Sequence, residues 1–253
     1  MLPLRIIARL DIKGSRLIKG IHLEGWRFLG DPNEFCRRYY QAGVDEIIYL
    51  DAVASLYNRE ILKNIVADTT KEVFIPITAG GGVRTINDAY ELLRVGADKV
   101  AINTAAVKNP GLITEIANKF GKQCVVVSIE AKKIQDKKWE AYIDNGRQPT
   151  GLDVLVWVQE VEKRGAGEIL LTSVDRDGTG KGFDLDLAQA VTKRVSVPVI
   201  ASGGINQAQD LVRVVTDGGV DAVAIGKAFH YGQLSVAELH QAARQSNIII
   251  RRI

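Results

Sequence analysis

The chain has 253 residues, enough for one large α/β domain or two small ones. Its hydrophobic (46%) and charged (25%) fractions are those of an ordinary soluble globular protein, and a net charge of +3 is too small to argue for nucleic acid or a membrane surface. No apolar run approaches the roughly 20 residues of a membrane span, and the N-terminal MLPLRIIARLD is too short and too charged for a signal peptide, so a cytoplasmic protein is expected.

Short apolar runs alternate with amphipathic segments along the chain. A strand is predicted at 5–11, followed by a long first loop over 13–30. A helix begins at Asp31, an N-cap followed by the first-turn proline Pro32. Strands at 46–51, 73–79, 98–103 and 124–130 alternate with helices at 58–68, 86–95 and 109–120. Helix 152–164, strand 168–173, helix 185–194, strand 197–202, helix 207–216, strand 221–226 and helix 235–245 complete the series. Strands that are apolar almost throughout are buried on both faces, as in a parallel sheet wrapped by helices. Eight such units in this length predict a single (β/α)8 TIM barrel over 1–253.

The chain also repeats itself. FIPITAGGGVRTINDAYELLRVGADKVAIN (74–103) resembles VPVIASGGINQAQDLVRVVTDGGVDAVAIG (197–226), with Pro76 and Gly82 matching Pro198 and Gly204, each 122 positions on. GVDEIIYLD (43–51) matches GAGEILLTS (165–173) at the same spacing. Two half-barrels, approximately 1–122 and 123–253, are the expected organisation.

In such a barrel the chemistry sits where strands end. Those ends hold Asp11, Asp51, Gly82, Asn103, Glu130, Thr172, Ser202, Gly204 and Gly226. A single polar strand end is explained by a turn or a helix cap; many converging on one rim are not. The clusters AGGGVR (79–84) and ASGGIN (201–206) each follow a strand and precede a helix. Glycine admits an anion close to backbone N–H groups, and a helix N-terminus attracts it. Two phosphate sites are therefore expected, one completed by Asn103 and Thr104, the other by Asp177, Gly178, Gly226 and Lys227. A substrate with a phosphate at each end spans such a pair. Between the anchors Asp11 and Glu130, at equivalent places in the two halves, are a candidate acid/base pair. Lys19, in the first loop, is either a mobile positive charge over the site or a solvated lysine. Trp26 either stacks on a substrate or covers the mouth of the barrel. Cys36 and Cys124 are expected as free thiols. His22, His230 and His240 lack metal-ligand spacing and are read as loop, strand–helix junction and helix surface; neither a metal nor a cofactor is expected.

From RIIARLDIKG to AFHYGQLSVAEL (228–239) the chain resembles the family of cyclase subunits of imidazole glycerol phosphate synthase, from histidine biosynthesis. LIKG (17–20), GDP (30–32), AGGGVR, GADKVAINTAA (96–106), PTGLD (149–153), GAGEILLTSVDRDGT (165–179) and PVIASGG (198–204) carry the likeness. The phosphoribosyl isomerase of the same pathway shares the repeat and both carboxylates, but LIKG and TSVDRDGT look more like the cyclase. The resemblance implies a glutaminase partner in a heterodimer. Its ammonia would pass through the barrel to an open-chain ribulosyl aminoimidazole carboxamide ribonucleotide, a bis-phosphate. Asp11 would be one acid/base and Lys19 the loop lysine. Arg5, Glu46, Lys99 and Glu168 stand where the family has a charged ring at the ammonia entrance, and Asp98 where it contacts its glutaminase; ordinary barrel-bottom salt bridges are the other explanation of the ring.

Two positions depart from the family, which has aspartate at 130 and usually cysteine at 9. Strand alternation puts Arg5, Ile7, Arg9 and Asp11 on one face, so Arg9 is expected inside the barrel beneath Asp11. A buried guanidinium needs a carboxylate partner; Asp11, Asp51 and Glu130 are the candidates, and an Arg9–Glu130 pair is expected. Two functions follow: a cyclase that accepts Glu130, or an ammonia-conducting subunit that supports amidation of a surface-polysaccharide sugar.

Overall fold

The computed structural model describes residues 3–53 and 60–251. Strand β1 (Arg5–Lys13) runs into a hairpin, β2 (Arg16–Ile21) and β3 (Glu24–Gly30), before α1 (Pro32–Gln41). Then follow β4 (Glu46–Asp51), α2 (Glu60–Thr69), β5 (Ile77–Gly80), α3 (Ile86–Arg94), β6 (Lys99–Ile102), α4 (Thr104–Lys108) and α5 (Gly111–Phe120). The second part opens with β7 (Val125–Gln135) and its own hairpin, β8 (Lys138–Ile143) and β9 (Gln148–Asp153). It continues through α6 (Val154–Arg164), β10 (Glu168–Ser173), α7 (Leu185–Thr192), β11 (Val199–Ser202), α8 (Ala208–Thr216), β12 (Ala222–Ile225), α9 (Lys227–His230) and α10 (Val236–Gln245). The parallel order β1-β4-β5-β6-β7-β10-β11-β12 closes on itself where β12 pairs with β1, giving an eight-stranded (β/α)8 barrel. The two hairpins add antiparallel strands to the mouth ends of β1 and β7.

Period-2 alternation sorts each strand into two cores. Ile6, Ala8, Leu10 and Ile12 of β1 join Ile47 and Tyr49 in the layer between barrel and helices. The opposite faces supply Ile7, Ile48, Ala101, Val126, Leu170, Ile200, Ala222 and Ala224, an apolar middle layer inside the barrel. Charged side chains lie below this layer, and polar ones including Arg9, Ser128, Thr172 and Ser202 lie above it, towards the strand ends.

A recurring tripeptide sets where strands begin. In GVD (43–45), GAD (96–98) and GVD (219–221), the glycine has positive φ (87°, 112° and 71°) just past a helix. The aspartate that follows clamps the preceding strand. Asp45 accepts from Ile6 N (2.7 Å), Asp98 from Ile77 N (2.8 Å) and Asp221 from Val199 N (3.0 Å). Each aspartate also donates its own N–H back to the same residue's carbonyl. The fourth copy, GAG (165–167), has no carboxylate and keeps only the backbone half of the clamp, Gly167 N to Val125 O.

The predicted elements fall close to the observed ones, with physical reasons for each difference. Strands β5 and β11 start after Pro76 and Pro198, which have no N–H for the ladder. Their carbonyls still accept, from Ile47 N and Ile169 N. The helix predicted at 109–120 is α5, which starts after Pro110, and the short α4 before it is not among the predicted elements. The start of the helix predicted at 58–68 lies outside the described residues. The first loop is a hairpin, not a loop. Its turn, His22–Leu23, has φ of 55° and 62°, a pair usually supplied by Asn-Gly and absent from the sequence as a signal. His240 is buried rather than on a helix surface, because Val236, Leu239, His240 and Ala243 form one packed face of α10. Cys36 and Cys124 are free thiols. Among the described residues, no helix is long and apolar enough to cross a membrane.

Asp45→Ala leaves the buried Ile6 N–H without an acceptor, which costs about 1–3 kcal/mol. Thermal unfolding should show a midpoint lowered by several degrees. Asp45→Asn, which keeps an acceptor, should lose less; an unchanged midpoint in the alanine variant would refute the clamp.

Candidate active site

A cavity of about 660 Å³ opens at the mouth of the barrel. Gly81, Gly82, Asn103 and Thr104 line one end, together with Arg84 and Lys108, two cations not singled out from the sequence. Asp51, Ser128, Glu130 and Arg9 line its floor and walls. On the other side of Arg9 lies a much smaller space of about 20 Å³, lined by Lys19, Asp177, Gly178, Ser202, Gly204, Gly226 and Lys227. The structure thus gathers the predicted phosphate residues into two groups, with Arg9 bordering both.

The helix ends expected to attract anions are different ones. After AGGGVR, α3 is closed by a capping box: Asp88 accepts from Thr85 N and Arg84 N, and Thr85 Oγ1 accepts from Asp88 N. After ASGGIN, Asp210 takes Asn206 N and Gln207 N in the same way. These N–H groups are already bonded. The short helices α4 and α9 have no side-chain cap, and their N-caps Asn103 (φ −131°, ψ −83°) and Gly226 (φ −110°, ψ −81°) share one unusual conformation. The N–H groups available to an anion are therefore at Asn103–Thr104 and Gly226–Lys227, beside the glycine loops.

The small side is covered by the β2–β3 hairpin. His22 N donates to Asp177 O (2.9 Å), Leu23 N to Asp177 Oδ2 (3.2 Å), and Asn145 Nδ2 to Leu23 O (2.8 Å). The His22 ring nitrogen Nδ1 lies 2.8 Å from Val174 O. These contacts hold two non-glycine residues in the left-handed region, where L side chains are disfavoured. Gly178 is required beneath the hairpin, since a Cβ there would run into the Gly20 carbonyl. Its own carbonyl accepts from Lys227 Nζ at 2.7 Å.

Lys19 is not solvated. It sits in β2, is buried, and bonds Asp177 at 2.8 and 2.9 Å, with Asp11 Oδ2 at 3.5 Å. Trp26 Nε1 donates to Leu23 O, and the ring lies outside the cavity lining, with Lys13 over its face. Arg9 is buried inside the barrel as alternation requires, but its partner is Asp11, not Glu130. Arg9 Nε reaches Asp11 Oδ1 at 2.9 Å, while Nη1 donates to Thr172 Oγ1 (2.8 Å) and Ser202 Oγ (3.1 Å). The two hydroxyls lie on β10 and β11, and Thr172 is the register partner of Glu130 on β7, so the guanidinium comes near Glu130 without forming an ion pair with it. Burial works to raise the pKa of Asp11, but Arg9 and then Lys19 outweigh it and hold the carboxyl below its usual range.

Glu130 has a different environment. Its Oε2 accepts from Gly146 N at 2.7 Å, and among the described residues no ion pair reaches it. Burial pushes its pKa up to about 7, with the Gly146 N–H and Arg9 only partly offsetting that. Asp51 accepts from Val53 N (2.9 Å) and is also raised by burial. Asn103 Nδ2 donates to Tyr142 O (3.2 Å), and Thr104 Oγ1 accepts from Asp144 N (3.1 Å), so the β8–β9 hairpin leans on the large cavity. Gly146 follows Asn145 in the only Asn-Gly step of the chain, a turn signal that could have identified it.

At the opposite end the four charged residues close a ring. Arg5 Nη1 bonds Glu46 Oε1 (2.8 Å) and Glu168 Oε1 (2.6 Å), and Lys99 Nζ bonds Glu46 Oε2 (3.0 Å) and Glu168 Oε2 (2.8 Å). Asp98, beside it, is committed to its strand clamp.

A family model described as "Histidine biosynthesis protein" matches residues 5–235. The chain is 60% identical over 210 residues to the imidazole glycerol phosphate synthase subunit HisF of Legionella pneumophila, covering 83% of this chain and 99% of that protein. It is 46% identical over 251 residues to the same-named subunit of Bacillus cereus (strain Q1), covering 99% of this chain and 100% of that protein. The chain belongs to the histidine biosynthesis protein family, on its HisF branch. Within this HisF-type barrel the mouth holds two chemically distinct carboxyls, one flanked by cations and one not.

The difference predicts a pH signature. An ordinary glutamate loses its proton near 4.5, whereas folded Glu130 keeps its own up to about 7. As pH rises from 4.5 to 7 the unfolded chain deprotonates first, so this group's contribution to stability falls across that window and levels off above it. Glu130→Gln, which keeps an acceptor for Gly146 N, should gain on the parent chain by at most about 3 kcal/mol between pH 5 and pH 8 in denaturant unfolding. A stability difference that does not change with pH would contradict it.

Proposed function

We propose that the barrel is the ammonia-dependent cyclase of imidazole glycerol phosphate synthase, fed by a glutaminase subunit bound at its charged end. Ammonia replaces the ketone oxygen of the open-chain ribulosyl aminoimidazole carboxamide ribonucleotide. Ring closure and cleavage then release imidazole glycerol phosphate and aminoimidazole carboxamide ribotide. The observation that carries this reading is the mouth itself. Two loop-lined ends, at Gly82–Asn103–Thr104 and Gly204–Gly226–Lys227, flank a region that holds Asp11 and Glu130. A substrate with a phosphate at each end suits that spacing of N–H groups, and both replacement of the ketone oxygen and ring closure require proton transfer between the ends.

The charged ring supports the entry route. Its two carboxylates each bond both cations, so the ring is internally satisfied and can exchange partners without leaving a charge unpaired. The apolar layer above it, with small side chains at Ala101, Ala222 and Ala224, suits a neutral ammonia molecule better than an ammonium ion. Asp98 and the exposed Phe74, at the start of the loop into β5, border this end as a contact surface for the partner.

A second reading draws on Arg9. Because Arg9 occupies Asp11, the barrel is instead an ammonia-conducting subunit that supports amidation of a surface-polysaccharide sugar by another enzyme. One assay separates the two: purified protein, an ammonium salt and the ribulosyl substrate, with its loss followed spectroscopically. The cyclase reading expects turnover that falls on the order of 10²–10⁴-fold in Glu130→Gln. Absence of turnover in the parent chain, with its fold intact by circular dichroism, overturns it in favour of the conduit.

A further inference from the structure

We propose that Arg9 is a positioning residue that locks Asp11 as a permanent carboxylate, leaving Glu130 as the group that holds and delivers the transferable proton. The inference deepens the reading above and rests on it only for the identity of the molecule that receives the proton.

The first ground is charge balance. Arg9, Lys19, Asp11 and Asp177 form one buried cluster, linked by contacts of 2.9 Å, 3.5 Å and 2.8 Å. Two cations and two carboxylates make it neutral. Removing the charge of Asp11 by protonation would leave Arg9 facing only hydroxyls, an uncompensated buried cation. Glu130 makes no ion pair with this cluster, which is neutral without it. A buried carboxyl without a cation partner is favoured in its neutral, protonated form.

The second ground is access. Glu130 lines the large cavity, whereas each oxygen of Asp11 faces a cation, Oδ1 towards Arg9 and Oδ2 towards Lys19. A proton on Glu130 has an acceptor position in front of it; a proton on Asp11 would face a cation. The charged and titratable groups that face Glu130 are Arg9 and Asp11 from β1, Asp144 from the β8–β9 turn, and Asp51 across the cavity. Asp51 lies at the end of β4, with its carboxylate bonded to the backbone of Val53.

The chemical step balances with one carboxyl. Ammonia adds to the substrate ketone to give a carbinolamine. Glu130 donates its proton to the carbinolamine hydroxyl, the C–O bond breaks, and water leaves as the nitrogen lone pair forms the C=N bond of an iminium ion. The Glu130 carboxylate then takes a proton from the iminium nitrogen, giving the imine and restoring the acid. Asp11 stays ionised throughout and keeps the cluster beneath neutral.

The test follows both carboxyls directly in the full-length protein. Side-chain carboxyl carbons of aspartate and glutamate are labelled with ¹³C, and their NMR shifts are followed from pH 4 to pH 9; Asp11→Asn and Glu130→Gln assign the two signals. The expected result is a Glu130 midpoint near 7 and an Asp11 signal that stays in its ionised position throughout. In Arg9→Met the Asp11 signal should begin to titrate inside this range, and Arg9→Lys should restore the ionised position at least in part. If Arg9→Met does not fold, the parent chain and the lysine variant still decide the matter. An Asp11 that titrates above pH 5 in the parent chain, or a Glu130 fully ionised by pH 6, overturns the proposal. So does an Arg9→Met variant whose Asp11 signal is unchanged. The titration needs no turnover: with these shifts as expected and no loss of the ribulosyl substrate, the proposal stands and the cyclase reading falls.

Discussion

The mouth of this barrel is organised around the ion pair between Arg9 and Asp11. A guanidinium buried inside a strand barrel is tolerated only where its charge is compensated and its N–H groups are bonded. Asp11 supplies the charge, and Thr172 and Ser202 supply acceptors on two further strands. Lys19 is drawn into the same cluster through Asp177, and the β2–β3 hairpin comes with it. The left-handed turn at His22–Leu23 is held by that attachment. The strained turn and the cation-flanked carboxylate thus meet through Asp177, which bonds both the hairpin and Lys19.

The scaffold that makes this possible is repetitive in its backbone and asymmetric in its side chains. Aspartates at the same place in three units clamp the starts of β1, β5 and β11. Uncapped short helices follow β6 and β12 with matching cap conformations. Hairpins extend β1 and β7 alike. Function enters where equivalent positions differ. The hairpin after β1 closes down on Asp177 and Gly178, whereas the hairpin after β7 forms a wall of the large cavity and donates Gly146 N to Glu130. One end of the site is shut and the other open, although both grew from similar frames.

The barrel was legible because near-continuous apolar strands and capped amphipathic helices point to the same fold, and the repeat confirmed the register of the mouth residues. The hairpins were not legible. Strand β3 is largely exposed and lacks an apolar face, and the His22–Leu23 turn carries no residue that favours positive φ. The burial of Arg9 could be read from alternation, which is a property of its own strand. Its partner could not, because Thr172 and Ser202 lie more than 160 positions away and only the closed barrel places them beside it. Asp98 shows what the resemblance left out: like its equivalents Asp45 and Asp221, its carboxylate clamps the start of a strand.

Arg9 and Glu130 are coupled, though no salt bridge joins them. Adding a cation at position 9 fixes the protonation state of Asp11, so a site that needs a proton must keep it elsewhere. Glu130 faces Arg9 without a salt bridge between them, and its carboxyl lies against the β8–β9 turn, where it bonds a neutral N–H. A neutral donor stabilises a carboxylate far less than a buried guanidinium does. The coupling therefore runs through electrostatics: one change removes a titrating acid from the site, and the environment of the other supplies one.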